Sequence, residues 1–321
     1  MFDWLVNLSS IFVFDTLKLE KRSHLGEALH FFIYDTIKIF ILLITIIFLV
    51  TFLRSYFPVE KIRDYLVGKH KIFGHIFAAF FGMLTPFCSC SAIPLFLGFL
   101  QARIPLGVTF SYLISAPLSD AVVIALLISL FGWKITVLYV GFALLIAIVA
   151  GLVIGALNLE KEVLIEVKPI NSCCGNSNED TTLISSRLKE SWEYTKDIFL
   201  KIYLYVIVGI AIGAFIHGYI PTEFISKYAG GDVWYAPIVA VVIGIPMYSN
   251  AAGILPLVEV LTQKGMLIGT ALSFMMAVVA LSLPEALILK RVLSLKLIAI
   301  FFTVVGLAIL LAGYLFNYLL G

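Results

Sequence analysis

Cys88 and Cys90, one residue apart and flanked by Ser89 and Ser91, are the side chains best placed to do chemistry in this chain. Two soft sulfurs at that spacing suit thiophilic species such as trivalent arsenicals, Cu(I) or Zn(II). Thiolates bind such species better than thiols, so a polar, partly wet setting would help. The plainer reading is that two small residues ease a tight backbone turn. Cys173 and Cys174 form a second pair. They could chelate a soft ion, or be incidental reduced thiols in a loop. Neither pair suits a disulfide framework, because its members are too close in sequence.

Asp120 and Glu285 lie inside apolar runs. An intramembrane carboxyl is costly and is by default a functional residue, here a carrier of protons. For Glu285 the alternative is an interfacial residue paired with Lys290 or Arg291. Glu259 ranks third. His24, His30, His70, His75 and His217 show no metal-ligand spacing and read as interfacial. No phosphate loop, Ser/His/Asp set or HExxH motif occurs. Neither an enzyme nor a nucleotide-driven pump is expected, and no cofactor.

Most of these residues sit in or beside two Pro-bracketed polar knots. The first runs Thr85-Pro86-Phe87-Cys88-Ser89-Cys90-Ser91-Ala92-Ile93-Pro94. The second runs Ile245-Pro246-Met247-Tyr248-Ser249-Asn250-Ala251-Ala252-Gly253-Ile254-Leu255-Pro256. In lipid, a run that breaks its own helix leaves backbone groups unpaired, which is tolerated only where protein or a water-filled cavity supplies partners. Two breaks in corresponding positions of two halves point to a transport site. Ser89, Ser91, Ser249 and Asn250 would offer hydroxyls and an amide there, or simply satisfy the broken backbone. Pro117, shortly before Asp120, and Pro284, directly before Glu285, mark two further interruptions.

Of the 321 residues, 61% are hydrophobic and 13% charged. Soluble domains run at about 45–50% and about 25%, so this chain lacks the charge to cover a soluble surface. The expected fold is an all-α integral membrane protein. A net charge of +2 without a basic stripe gives no reason to expect a nucleic-acid partner. Residues 1–30 read as an amphipathic interfacial segment. Spans of about 20 apolar residues fall near 31–53, 105–130, 134–157, 197–219, 265–289 and 295–319, and the knots split segments 72–100 and 235–263.

The halves, 31–157 and 197–321, repeat one pattern. Gln101 matches Gln263, Gly107 matches Gly269, and Ser111 matches Ser273. Tyr248 and Asn250 stand where Cys88 and Cys90 do, Leu97 where Glu259 does, and Asp120 aligns loosely with Glu285. Residues 158–196 form a cytoplasmic linker loop carrying Cys173-Cys174. Cytoplasmic loops collect Lys and Arg. Re-entrant hairpins at the knots put Arg54, Lys61, Arg63, Lys69, Lys71, Arg103, Lys290, Arg291 and Lys296 on one side with the linker. That favours six spans and two re-entrant hairpins in inverted halves over eight full spans in parallel halves.

The first knot with Pro94-Leu95-Phe96, Ser115-Ala116-Pro117, Gly244-Ile245-Pro246, Ser249-Asn250 and Pro284-Glu285 resembles the predicted-permease family that includes the ArsP-type organoarsenical efflux proteins. The resemblance covers roughly 30 to 320. It implies an inner-membrane permease exporting a thiophilic substrate, and members with cysteine-rich loops resemble copper or zinc exporters. Proton coupling follows from the lack of a nucleotide site. The expected partners are the bilayer, the substrate and protons, and an oligomer is compatible with the reading. A transmembrane thiol–disulfide carrier is the rival from another class. It fits poorly, because a Cys-x-Cys disulfide is strained and the second knot offers no thiol.

Overall fold

The structure is a computed structural model. It describes residues 9–16, 24–56, 71–85, 89–101, 103–164, 233–247, 251–290 and 292–320, with scattered positions from 188 to 211. Among those residues the fold is all-α, with no strand beyond an isolated bridge between Val163 and Leu293. A first helix, α1 (His24–Tyr56), has 33 residues, about 50 Å at 1.5 Å per residue, and exceeds the bilayer core. It begins at His24, so the helix of the first span already includes residues 24–30 of the segment expected to be interfacial. His30 receives that segment, hydrogen-bonded to Ser9 and Ser10 (3.0 Å each) and stacked on Phe14.

Next come α2 (Lys71–Leu84) and α3 (Ser89–Gln101), of 14 and 13 residues. Each is about 20 Å long, too short for a hydrocarbon core of about 30 Å. Then follow α4 (Leu106–Leu118) and α5 (Ala121–Ala156). At Gly132, α5 is broken by φ 79° and ψ 172°, a backbone that favours glycine. The second half provides α6 (Ala236–Gly244), α7 (Ala251–Gln263), α8 (Ile268–Ala280), α9 (Leu283–Leu289) and α10 (Leu295–Leu320). Among the described residues, Ala121–Ala156, Ile268–Leu289 and Leu295–Leu320 are long and apolar enough to cross a membrane. Ile268–Leu289 is the inner one, 82% buried against 39% and 33%.

The two halves repeat with a constant offset of 162 residues. It maps the ends of α3 onto those of α7, the ends of α4 onto those of α8, and residue 133 onto the start of α10. Backbone angles follow. Ser119 and Asp120 (φ −124°, −58°; ψ 33°, 139°) match Leu281 and Ser282 (φ −129°, −66°; ψ 27°, 143°). The positive φ of Arg103 recurs at Gly265.

An offset of 162 also pairs Gln101 with Gln263, Gly107 with Gly269, and Ser111 with Ser273, and it differs from two of the expected pairings. Cys90 stands opposite Ala252, because the helix starts Ser89 and Ala251 and not the knot prolines set the alignment. Asp120 stands opposite Ser282, and Glu285 opposite Val123.

Equivalent helices of the two halves run antiparallel. Phe142 of α5 packs edge-on against Phe316 of α10, with centroids 4.8 Å apart. The chain just beyond α5 is meanwhile clipped to the start of α10. Leu164 N donates to Val292 O (2.8 Å), Ser294 N to Glu162 O (2.9 Å), and Lys296 pairs with Glu162 (3.5 Å). The Ser294 hydroxyl, helped by Lys296, holds the Glu162 carboxyl below the usual carboxylate range. In the same sense, Phe40 of α1 meets Phe199 while Phe48, further along α1, meets Trp192.

Small residues bring the central helices together. A Cβ on Gly107 of α4 would lie 2.5 Å from Gly151 O, and one on Gly151 would collide with Ser111 Oγ. The equivalent seam in the second half packs Gly269 and Ser273 of α8 against Gly313 and Asn317 of α10. There Asn317 accepts from Thr270 N (3.1 Å) and donates to Thr270 Oγ1 (3.0 Å). Close packing of this kind replaces the hydrophobic effect as the force that joins helices in lipid. Gly107→Ala should therefore destabilise the protein by about 2 kcal/mol or more, while Gly141→Ala, whose Cβ meets nothing within 4 Å, should be neutral. Melting temperatures of the two purified variants in detergent check this, and equal values would contradict it.

Candidate functional site

The break between α8 and α9 holds the most unusual group in the structure. Glu285 is 2% exposed, and neither carboxylate oxygen has a hydrogen-bond partner among the described residues. Ser282 Oγ, one turn earlier, is likewise buried and unpartnered. Proline at residue 284 lacks an N–H and starts the new helix without continuing the old ladder. The break is tied to the approach to the second knot, where Leu283 N donates to Ile245 O (3.0 Å). Across the halves, α9 packs against α3, the arm that opens with Ser89, Cys90 and Ser91. The reciprocal contact, between α7 and α5, is present too.

The matching break in the first half is more conventional. Asp120 caps α5, its side chain accepting from Val122 N (3.4 Å), and it is partly exposed. Pro117 is buried in the last turn of α4. Ser115 and Ser119 close the local account: Ser115 Oγ donates to Ala79 O of α2 (2.6 Å), and Ser119 Oγ to Ser115 O (2.8 Å). Glu259 sits on α7, beside Gln263 (3.3 Å) on the exposed side.

Pro246 lies in the turn after α6 and is partly buried. Ser89, Cys90 and Ser91 form the helical start of α3. Pro86, Cys88, Tyr248, Ser249, Asn250, Cys173 and Cys174 fall outside the described residues. No group of three or more His, Cys, Asp or Glu that could hold a metal ion occurs among the described residues.

A membrane chain with paired helix breaks and a buried carboxyl between its halves has the anatomy of a transporter. It matches the family described as predicted permease over residues 24–318. The chain belongs to that family. This permease is 26% identical over 297 residues to a UPF0718 protein of Methanocaldococcus jannaschii, covering 74% of its own chain and 81% of the relative. A Streptococcus mutans protein, provisionally named a two-component membrane permease complex subunit, is 24% identical over 60% of the permease and 61% of its own length. A UPF0718 protein of Bacillus subtilis is 22% identical over 55% and 59%. No solved structure matches.

Three site features of the permease escape a reading of its sequence. His75 of α2 is buried and hydrogen-bonded to Ser111 Oγ of α4 at 2.8 Å. Its partner lies 36 residues away, so nothing local marks it. Asp35, buried in α1, lies 3.9 Å from Lys38, whose ammonium sits over the Tyr34 ring. An acid inside the first apolar span is a legible signal for it. Ser282 emerges only from the 162-residue register.

An unpartnered buried carboxyl is a stability cost that an apolar group of similar shape relieves. Glu285→Met should raise stability by about 1–2 kcal/mol. At this size that is a Tm increase of a few degrees, and a clear decrease would show that Glu285 has a structural partner.

Proposed function

We propose that this permease is a secondary-active transporter that exports a thiophilic substrate, a trivalent organoarsenical or a soft metal ion, in exchange for protons. The observation that carries the reading is the packing of α3 on α9. It brings the helix that begins beside Cys88 and Cys90 against the helix that bears Glu285. This packing supports a reading in which a soft-ligand tip and an acid serve one region between the halves. The chemistry is transport and not catalysis, and copper or zinc export by the same route is the closest variant.

The halves are inverted. Antiparallel pairing of equivalent helices supports this, as do hairpin arms too short to cross. The clip at Glu162 holds Lys296 on the face where α5 ends, beside the linker that carries Arg187, Lys189 and Lys196. Basic residues gathered on one face mark it as cytoplasmic. The linker, with Cys173 and Cys174, is then open to the cytosol and could collect a soft ion there. Its partners are the bilayer, the substrate and protons, with self-association or a second component compatible with the fold.

The test uses everted membrane vesicles from cells lacking their own exporters, incubated with external methylarsenite, Cu(I) or Zn(II). The native protein should accumulate at least one of them, and Cys88→Ser/Cys90→Ser should lose that accumulation by an order of magnitude or more, since sulfur-to-oxygen exchange removes the soft donor. Equal accumulation by the two forms would end the thiophilic reading.

A further inference from the structure

We propose that Ser282 and Glu285 form a binding site for one small coupling cation, a proton or a sodium ion. This rests on the permease reading and names the site that such a reading leaves open. The first support is the atoms themselves. Three oxygens, Glu285 Oε1 and Oε2 and Ser282 Oγ, are buried without partners among the described residues, on residues three apart at the start of α9. Such oxygens in a core are rare unless something absent completes them. Hard oxygen donors suit a proton or an alkali cation and not a thiophilic cargo. The coupling ion and the substrate therefore have separate ligands.

The second support is the surroundings. On α9 itself the other charged neighbour is Lys290, at the far end and exposed. From the packed elements, α3 brings Cys90 as its sole titratable residue and carries no charge. The segment at Ile245, bonded to Leu283, leads to Tyr248. The buried polar residues described include no lysine or arginine. No fixed cation among the described residues meets this carboxyl, so a mobile one fits.

The third support is the lack of symmetry. At the equivalent break Asp120 replaces Ser282 and is used as a helix cap, while Val123 replaces Glu285. One half carries an idle acid at its break and the other does not. Leu283 N on Ile245 O joins this site to the second hairpin, and α9 on α3 joins it to the first. Filling or emptying it would bear on both.

The experiment is carbodiimide labelling of the full-length protein in liposomes, located by peptide mass mapping. Dicyclohexylcarbodiimide adds the O–H of a neutral, apolar-set carboxyl across its C=N bond. The O-acylisourea then rearranges to a stable N-acylurea. Glu285 should be labelled, well above any signal in Glu285→Gln. On the alkaline side of its titration, labelling should fall about tenfold per pH unit. Suppression of labelling by sodium chloride, but not by choline chloride, assigns the ion as sodium; pH dependence without suppression assigns it as a proton. Absence of label at Glu285, or labelling indifferent to both pH and sodium, overturns the proposal. Because mapping is done on the native protein, the result does not depend on how the variant folds. Labelling also needs no transported substrate, so failure of the export assay with labelling intact would count against the export reading alone.

Discussion

Lipid offers no hydrogen bonds, so each interruption of a membrane helix has to be settled by the protein itself. That constraint organises this structure. Both halves interrupt their apolar runs at the hairpin tips and again at 119–120 and 281–282. Around those points the helices are pressed together through glycine and serine. Gly82 lies against the backbone of Tyr112 and Ala116, and Gly244 against Phe274 and Ala277 in the equivalent place. The first half adds polar ties, with Ser115 on Ala79 O and His75 on Ser111. The second half has Val241 and Ala277 where Ala79 and Ser115 stand, so it lacks that serine tie, and Leu283 N on Ile245 O links its break to the turn after α6 instead. Ser282 and Glu285 stand out beside this, buried without a hydrogen-bond partner among the described residues.

Much of this was legible in the amino-acid order. Runs of apolar residues set the spans: the part of α5 beyond Gly132, α8 with α9, and α10 lie within a few residues of the expected ranges, whereas the expected span 105–130 is broken at 119–120, between α4 and α5. Gly107, Ser111 and Gln101 announce the repeat because their counterparts recur in the same order. The detailed register was not legible from the knots. Pro86 and Pro246 are the most conspicuous marks in each, yet they are 160 residues apart, while the helices repeat at 162. Matching acid with acid misled in the same way, since Ser282 and not Glu285 occupies the place of Asp120. Burial of His75 depends on a partner in another helix, which local pattern does not display. Asp35 required nothing more than attention to an acid inside a span.

The repeat and its violations bear on function together. Antiparallel equivalent helices give two similar units facing opposite ways, the arrangement by which alternating access is produced around a fixed central site. Differences between the units tell them apart chemically. In sequence, sulfur belongs to the first knot, and an amide and hydroxyls to the second; the buried carboxyl without a partner among the described residues belongs to the second break. Family membership supports transport, while the residues at the junction carry the reading of what is transported and against what.

Opposite insertion of the two halves is the claim on which the rest depends. Trp133, just past the Gly132 break in α5, and Leu295, at the start of α10, occupy equivalent positions at the offset of 162 and are exposed. Trp133→Cys and Leu295→Cys, each placed singly in a cysteine-free background, can be challenged with a membrane-impermeant maleimide from either side of oriented vesicles. The account predicts labelling from opposite faces, with position 295 on the cytoplasmic side. Labelling of both from the same face would contradict it.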